Sequence, residues 1–422
     1  MTSSERSFSF RSVAIAGILP SLVFAVGEGA IIPIIPIIAS NLGANLAVAG
    51  TIAGMIMVGR LVGDIPSGWV ISRIGERMAM VYASLLSVVG LVISLLTPNP
   101  VVLTVGILLV GLATAVFALA RHAFMTVYVP IAYRARALSS LAGAFRFGYF
   151  IGPLISAGII HLTGTSQSVF WIHITACVMA AAILLLLPDP SAIFGTLPTR
   201  STMPAETVLE APKTLGLFPT IWKSRGVLVR LGSGAALMGA LRASRQVILP
   251  LWAVSIAISD TDTALIIGIA GGIDFALFYA SGQIMDRFGR LWTALPAMIG
   301  LGAGHLILMF THDLPGRVVL FIGVAVLLSL ANGIGSGIGM TIGADLADID
   351  NPAPFLGAWR LAVDSGGAVA PIIVSLVTTL ASLGIASGVM GLFGLLGAAI
   401  FARYIPRYGV NIRRQRDKPP TG

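Results

Sequence analysis

The chain has 422 residues, of which 56% are hydrophobic and 10% charged, with a mean hydropathy of +0.96. Those proportions exclude a soluble globular domain and place the chain in a lipid bilayer. A single cysteine, Cys177, excludes an internal disulfide and any multi-cysteine metal site, and it reads as a small apolar packing residue.

A helix needs roughly 20 apolar residues to cross the hydrocarbon core, and polar breaks mark off twelve such stretches. In the first half they cover 13–38, 47–71, 78–97, 101–129, 138–161 and 168–187; in the second, 227–258, 263–285, 291–311, 318–343, 355–382 and 385–402. The first stretch resembles a signal-peptide core, but no small-residue cleavage site closes it and the apolar run continues past Glu28, so it reads as the first span. The one long break, rich in Pro, Thr and Ser, reads as a flexible linker. The expected organisation is a six-helix bundle over 1–187, a cytoplasmic linker over 188–225, a second six-helix bundle over 226–405 and a basic tail over 406–422.

The basic residues fall on one side of this layout. With both termini inside, inner segments hold 18 Lys and Arg residues, outer loops hold only Arg317, and seven lie within spans. That bias predicts an even number of crossings with both ends cytoplasmic, in a plasma or inner membrane. The net charge of +9 is then positive-inside bias and contact with anionic lipid, not a nucleic-acid signal.

One loop occurs twice, 214 residues apart. Gly68, Ser72, Arg73, Gly75 and Arg77 follow the second span; Gly282, Asp286, Arg287, Gly289 and Arg290 follow the eighth. An offset of half the chain signals a duplicated membrane bundle, the layout of secondary transporters built from two parallel halves.

Eleven charged side chains lie within the spans: Glu28, Arg60, Asp64, Arg121, Arg146, Arg230, Arg242, Arg245, Asp274, Arg360 and Asp364. Left in lipid they would cost roughly 30 kcal/mol at about 3 kcal/mol each, so most must pair or face water. Arg230 is near a span end and reads as snorkelling to the interface. Arg60 with Asp64, and Arg360 with Asp364, are four apart and able to pair on one helix face. Shifted by 214, Arg60 falls on Asp274 and Arg146 on Arg360, as expected for helices lining one central cavity. Glu28 and Arg245 each precede a proline, Pro33 and Pro250, by five residues, where a freed carbonyl lets the helix bend.

The repeated loop matches G-x-x-x-D-R-x-G-R in its second copy. On that ground the chain resembles the major facilitator superfamily over roughly residues 10–405. The resemblance implies an all-α membrane protein with twelve transmembrane helices in two pseudo-symmetric bundles. It further implies alternating access and gating by the two loops, which latch the halves on the cytoplasmic side. The first copy departs from the pattern, with Ser72 in place of Asp and Arg77 one place late. Gly148, Gly152 and Pro153 resemble the G-x-x-x-G-P motif of proton-coupled exporters, and Pro33 and Pro36 resemble the P-x-x-P of their first helix. The same small-residue spacing is also the ordinary way to pack two membrane helices. The Arg expected in the fourth helix is missing upstream of Gly111, and Arg121 and His122 lie deeper along that span.

These features predict proton-coupled efflux of a small organic solute. Glu28, Asp64, Asp274 and Asp364 are the candidate coupling acids; Glu28, Arg121, Arg146, Arg242, Arg245 and Arg360 are the candidate cavity residues. An importer or facilitator of an anionic metabolite is the alternative, motivated by the five deep Arg residues. A non-transporting receptor is the alternative from another class. No enzyme motif, nucleotide loop, cofactor or metal site is evident, and one chain is expected to work alone with solute, protons and lipid as its partners. His122, His173 and His305 read as hydrogen-bonded bundle residues, and the glycines from Gly333 to Gly343 as a packing or bending element. Asp345, Asp348 and Asp350 crowd an inner loop.

Overall fold

A computed structural model describes residues 17–129, 131–186, 217–347 and 353–408. Arg6, Arg11, Arg200, Lys213, Asp348, Asp350 and the basic tail after Tyr408 lie outside them, as does most of the linker.

Among the described residues the helices make twelve crossings. Ten helical runs are long and apolar enough to span a bilayer. One of these, Leu46–Leu95, counts twice: fifty residues of unbroken helix would be about 75 Å long, more than twice the hydrocarbon thickness. Gly75, with φ 77° and ψ 165°, turns it back on itself, so the second and third spans are antiparallel neighbours. Gly289, 214 residues later, adopts φ 94° and ψ 169° between the eighth and ninth spans, Asp260–Phe288 and Leu291–Met309. The duplicated loop is therefore duplicated in backbone geometry. The twelfth crossing is the seventh span, Ser233–Ser255, whose Arg242 and Arg245 lower its apolarity.

The remaining spans are Pro100–Tyr128, Ile131–Thr163, Val169–Leu186, Ala353–Leu380 and Leu383–Tyr404, with the first and tenth spans interrupted. Polar residues in the connections set several starts. Asn45 accepts from Val48 N at 2.9 Å, and Asn99 from Val101 N and Val102 N at 3.0 and 3.1 Å, with Pro100 opening that helix. Ser259 and Ser382 cap the eighth and twelfth spans in the same way.

Three elements are more broken, or more regular, than apolar length alone indicates. The first span is not continuous: Leu19–Ile31 and Ile35–Asn41 are separated by a turn at Pro33, which has no N–H to continue the ladder. The tenth span breaks at Gly335 to Gly337, the last with φ 79°, giving Arg317–Ile334 and Ile338–Leu346. The end of the supposed flexible linker is ordered, with Leu217–Lys223 helical and a π-helical turn, Leu228–Gly232, leading into the seventh span.

The two halves meet mainly along two helix crossings, with the seventh span also touching the second, where a Cβ on Gly50 would lie 3.0 Å from Leu251. The second span crosses the eleventh, where a Cβ on Gly54 would lie 2.3 Å from Pro371 Cβ. The fifth crosses the eighth, where Gly268 meets Leu154 and Gly272 meets the Phe150 ring. Near the repeated loops the helices part, and a Cβ on Gly68, Gly143 or Gly282 would meet nothing within 4 Å. The interface is thus sealed at the face opposite the repeated loops and open towards them.

Candidate functional site

A cavity of about 570 Å³ lies between the halves, within the size range of small-molecule sites. Ten of the eleven in-span charges line it: Glu28, Arg60, Asp64, Arg121, Arg146, Arg242, Arg245, Asp274, Arg360 and Asp364. The eleventh, Arg230, donates to the Tyr408 hydroxyl at 3.1 Å near the helix end.

The expected pairing of Arg60 with Asp64 does not form. Arg60 instead reaches across to Glu28 of the first span, whose side chain has no exposed surface, and donates to the Tyr149 hydroxyl at 3.0 Å. Tyr149 in turn donates to Glu28 Oε2 at 2.9 Å. Asp64 faces Arg360 of the other half at 3.6 Å, and Arg360 also holds Asp364 at 3.2 Å. At the second crossing Asp274 takes Arg146 from the opposite half at 3.4 Å and Arg245 from its own at 3.3 Å. Asn332 also donates to Asp274, and Arg245 to Ser329 Oγ at 3.1 Å. Ion pairs therefore tie the halves together at both crossings.

Two guanidinium groups remain without a carboxylate. Arg121 lies 3.2 Å over the Phe145 ring, makes no hydrogen bond or ion pair among the described residues, and has a buried Nε without a partner. Arg242 donates one bond, 2.7 Å to the Gly335 carbonyl at the break in the tenth span, and its Nε is likewise unpartnered.

The repeated loops sit outside the cavity. Arg77 donates to the carbonyls of Leu184 and Leu185 at the end of the sixth span, 2.6 and 3.0 Å away. Arg290 holds Asp345 at 2.8 Å and faces Asp286 at 3.7 Å. The contacts named here stay within one half. The Asp286 side chain is 80% exposed, Ser72 bonds only its own turn at Trp69, and Arg73 and Arg287 lie over Trp69 and Phe288. Gly148 and Gly152 press against Ala25, Val26, Gly29 and Ala30 of the first span, with a Cβ on either meeting backbone within about 2.6 Å, and Pro153 lines the cavity beside them. That packing sets Tyr149 against Glu28.

The three membrane histidines are hydrogen-bonded. His122 reaches the Ala118 carbonyl at 2.8 Å, His173 meets Ser87 at 3.2 Å, and His305 bridges the Leu301 carbonyl and Ser244 at 2.8 and 3.1 Å. Tyr149, Phe145, Ser329 and Asn332 join the site although their types are ordinary in a membrane helix and carry no sequence signal. Ser166, equally without a sequence signal, bonds Asp260 across the halves on the sealed face.

The match to a known family decides the classification: residues 18–371 match the family described as Major Facilitator Superfamily. The chain belongs to the Major Facilitator Superfamily. Membership makes it an integral, multi-pass member of a transporter family, not an enzyme. Among curated relatives, the galactose-proton symporter of Escherichia coli (strain K12) is 26% identical over 211 residues, 49% of this chain and 44% of the relative. The gallate transporter of Pseudomonas putida is 28% identical over 153 residues, 36% of this chain and 34% of the relative. The matched stretches span less than half the length of these curated relatives. A solved POT family transporter in complex with a thioalcohol-conjugated peptide superposes with a TM-score of 0.77 at 12% identity, covering 94% of this chain and 96% of that one. At that identity the likeness concerns the superfamily fold alone.

Proposed function

We propose that this chain carries a small organic solute across the membrane by alternating access, with the solute in the central cavity and its movement coupled to protons. The observation that carries the proposal is one charged cavity between two repeat-related halves, sealed at one face and open at the other, with ion pairs crossing both contacts. Charges within membrane spans are costly unless they pair or face water, and the pairs between the halves give a two-state element whose balance a proton or solute shifts. With the repeated loops cytoplasmic, as the positive-inside count indicates, the conformation is open inward.

Glu28 is the first candidate for the coupling acid. It is wholly enclosed between Arg60 and Tyr149, so a proton there neutralises the acid and frees Arg60. In the same cavity Asp64 and Asp364 share Arg360, and Asp274, which faces Arg146 and Arg245, is the second candidate because it ties both halves. The symporter relative is proton-coupled by name. Efflux is the second reading, favoured by the spacing of Gly148, Gly152 and Pro153 together with Pro33 and Pro36.

The experiment is reconstitution into liposomes with a pH-sensitive dye inside. Organic anions, sugars and cations are tested under an imposed proton gradient, for wild type and Glu28→Gln. Solute-dependent proton movement that the variant loses supports coupling through Glu28. Equal proton movement in the variant moves the coupling to another acid, and solute movement without protons removes coupling altogether.

A further inference from the structure

We infer that the solute is a small dianion with two separated carboxylates, held between Arg121 of the first half and Arg242 of the second. This deepens the transport reading and rests on it.

The cavity holds six arginines and four carboxylates. Every carboxylate already has a guanidinium: Glu28 has Arg60, Asp274 has Arg146 and Arg245, and Asp64 and Asp364 have Arg360. The lining therefore carries a formal excess of two positive charges; the second arginine on Asp274 and the shared Arg360 of Asp64 and Asp364 offset each other, and Arg121 and Arg242 are the two without an ion pair. An unpaired cation in a space walled by low-dielectric protein is unfavourable, and a bound anion relieves it. Neither group has a carboxylate ion pair among the described residues. Arg121 lies over the Phe145 ring, 3.2 Å from its centroid, and its buried Nε has no partner. Arg242 spends one nitrogen on the Gly335 carbonyl and keeps the rest.

Placement selects a ligand with two acidic ends. Arg121 belongs to the fourth span and Arg242 to the seventh, so the excess charge is divided between the halves, one on each. A single compact anion neutralises one and leaves the other bare, whereas an extended dicarboxylate neutralises both and bridges the halves. The Arg242 bond to Gly335 also connects one end of this ligand to the break in the tenth span.

The test uses the full chain in detergent at fixed ionic strength, with thermal midpoints measured against succinate, glutarate and adipate. Acetate, inorganic phosphate, dimethyl adipate and galactose are the comparison probes. At least one dicarboxylate is expected to raise the midpoint where its dimethyl ester and acetate do not. Its apparent affinity is expected to fall tenfold or more in both Arg121→Gln and Arg242→Gln, with partial retention in the Lys variants, which keep the charge without the fork. The ester comparison needs no variant, so poor folding of a mutant leaves the test intact. Phosphate or acetate acting as strongly as the dicarboxylates overturns the two-ended ligand. Stabilisation and counterflow of galactose with no effect of any dicarboxylate overturns the anion and leaves transport standing. No stabilisation by any probe, with no counterflow of any in liposomes, overturns both.

Discussion

If the sealed face closes by direct contact of glycines with the opposite half, adding one methyl group at Gly54 must reopen it. A Cβ there would lie 2.3 Å from Pro371 Cβ and 3.1 Å from its Cγ, where carbon atoms settle at about 3.5–4.0 Å, so the second and eleventh spans must separate by roughly 1 Å. Overpacking of this kind costs about 1–3 kcal/mol. Only the conformation sealed at this face bears the strain, so Gly54→Ala shifts the ratio of the two conformations about 5- to 150-fold towards the opposite opening. The readout is reaction of a membrane-impermeant maleimide with Gln246→Cys, a cavity position, in whole cells and in inverted vesicles. The natural Cys177 is fully buried and leaves the background low. Wild type is expected to label from the loop face, and Gly54→Ala to gain labelling from the other. Gly366→Ala is the control for general damage, because its Cβ would meet Ala236 of the same half at 1.9 Å and strains both conformations alike. Gly68→Ala, whose Cβ would meet nothing within 4 Å, is expected to leave sidedness unchanged and to raise helix stability by about 0.5–1 kcal/mol. Unchanged sidedness in Gly54→Ala, or an equal shift in Gly366→Ala, would refute contact sealing at this crossing.

Glu28→Gln removes the only carboxylate bound to Arg60, and its thermal stability should fall by about 2–4 kcal/mol, moderated because Arg60 is 28% exposed and keeps Tyr149; its solute flux should no longer respond to an imposed pH gradient. Ser166→Ala cuts a hydrogen bond between the halves on the sealed face and should move maleimide sidedness in the same direction as Gly54→Ala, by about 0.5–1.5 kcal/mol. Arg290→Ala releases Asp345 and should lower stability by about 1–3 kcal/mol in chemical denaturation, whereas Arg287→Ala, which bonds no carboxylate, should change it little. Gly337→Ala forces a side chain into φ 79° and should cost about 1–2 kcal/mol, read as a lower thermal midpoint.

Much of the architecture was legible because a bilayer restricts the choices. Apolar length located the crossings, and the repeated loop located the duplication, since a glycine is needed where the chain reverses at Gly75 and Gly289 with positive φ. The charged positions were legible for the same reason, because each must find water or a partner. Their partners were not. Spacing of four offered Asp64 to Arg60, but a helix-face neighbour competes with residues brought in by tertiary packing, and Glu28 with Tyr149 prevailed. The break in the tenth span was visible only as a glycine-rich stretch, since closely packed and unwound helices use the same residue. Asn332 and Tyr149 carry no charge and gave no warning of their place in the ion-pair network.

The shift of 214 residues explains why the two crossings are not copies of each other. Glu28 and Arg60 in the first half correspond to Arg242 and Asp274 in the second, with both signs reversed. Duplicated helices with identical charges would set like against like wherever the halves meet around the cavity. Reversal at these positions makes the contact of Arg146 with Asp274 attractive. Its counterpart under the exchange of halves is Arg360 with Arg60, a repulsive pair. The structure avoids it by giving Arg60 to Glu28 and turning Arg360 to Asp64, one helical turn further along. Arg242, which corresponds to Glu28, has no such outlet, because the acid at the position equivalent to Arg60 is already held by Arg146 and Arg245. Its lack of an ion pair follows from the sign reversal itself, and beyond the Gly335 carbonyl a solute anion is the partner proposed for it.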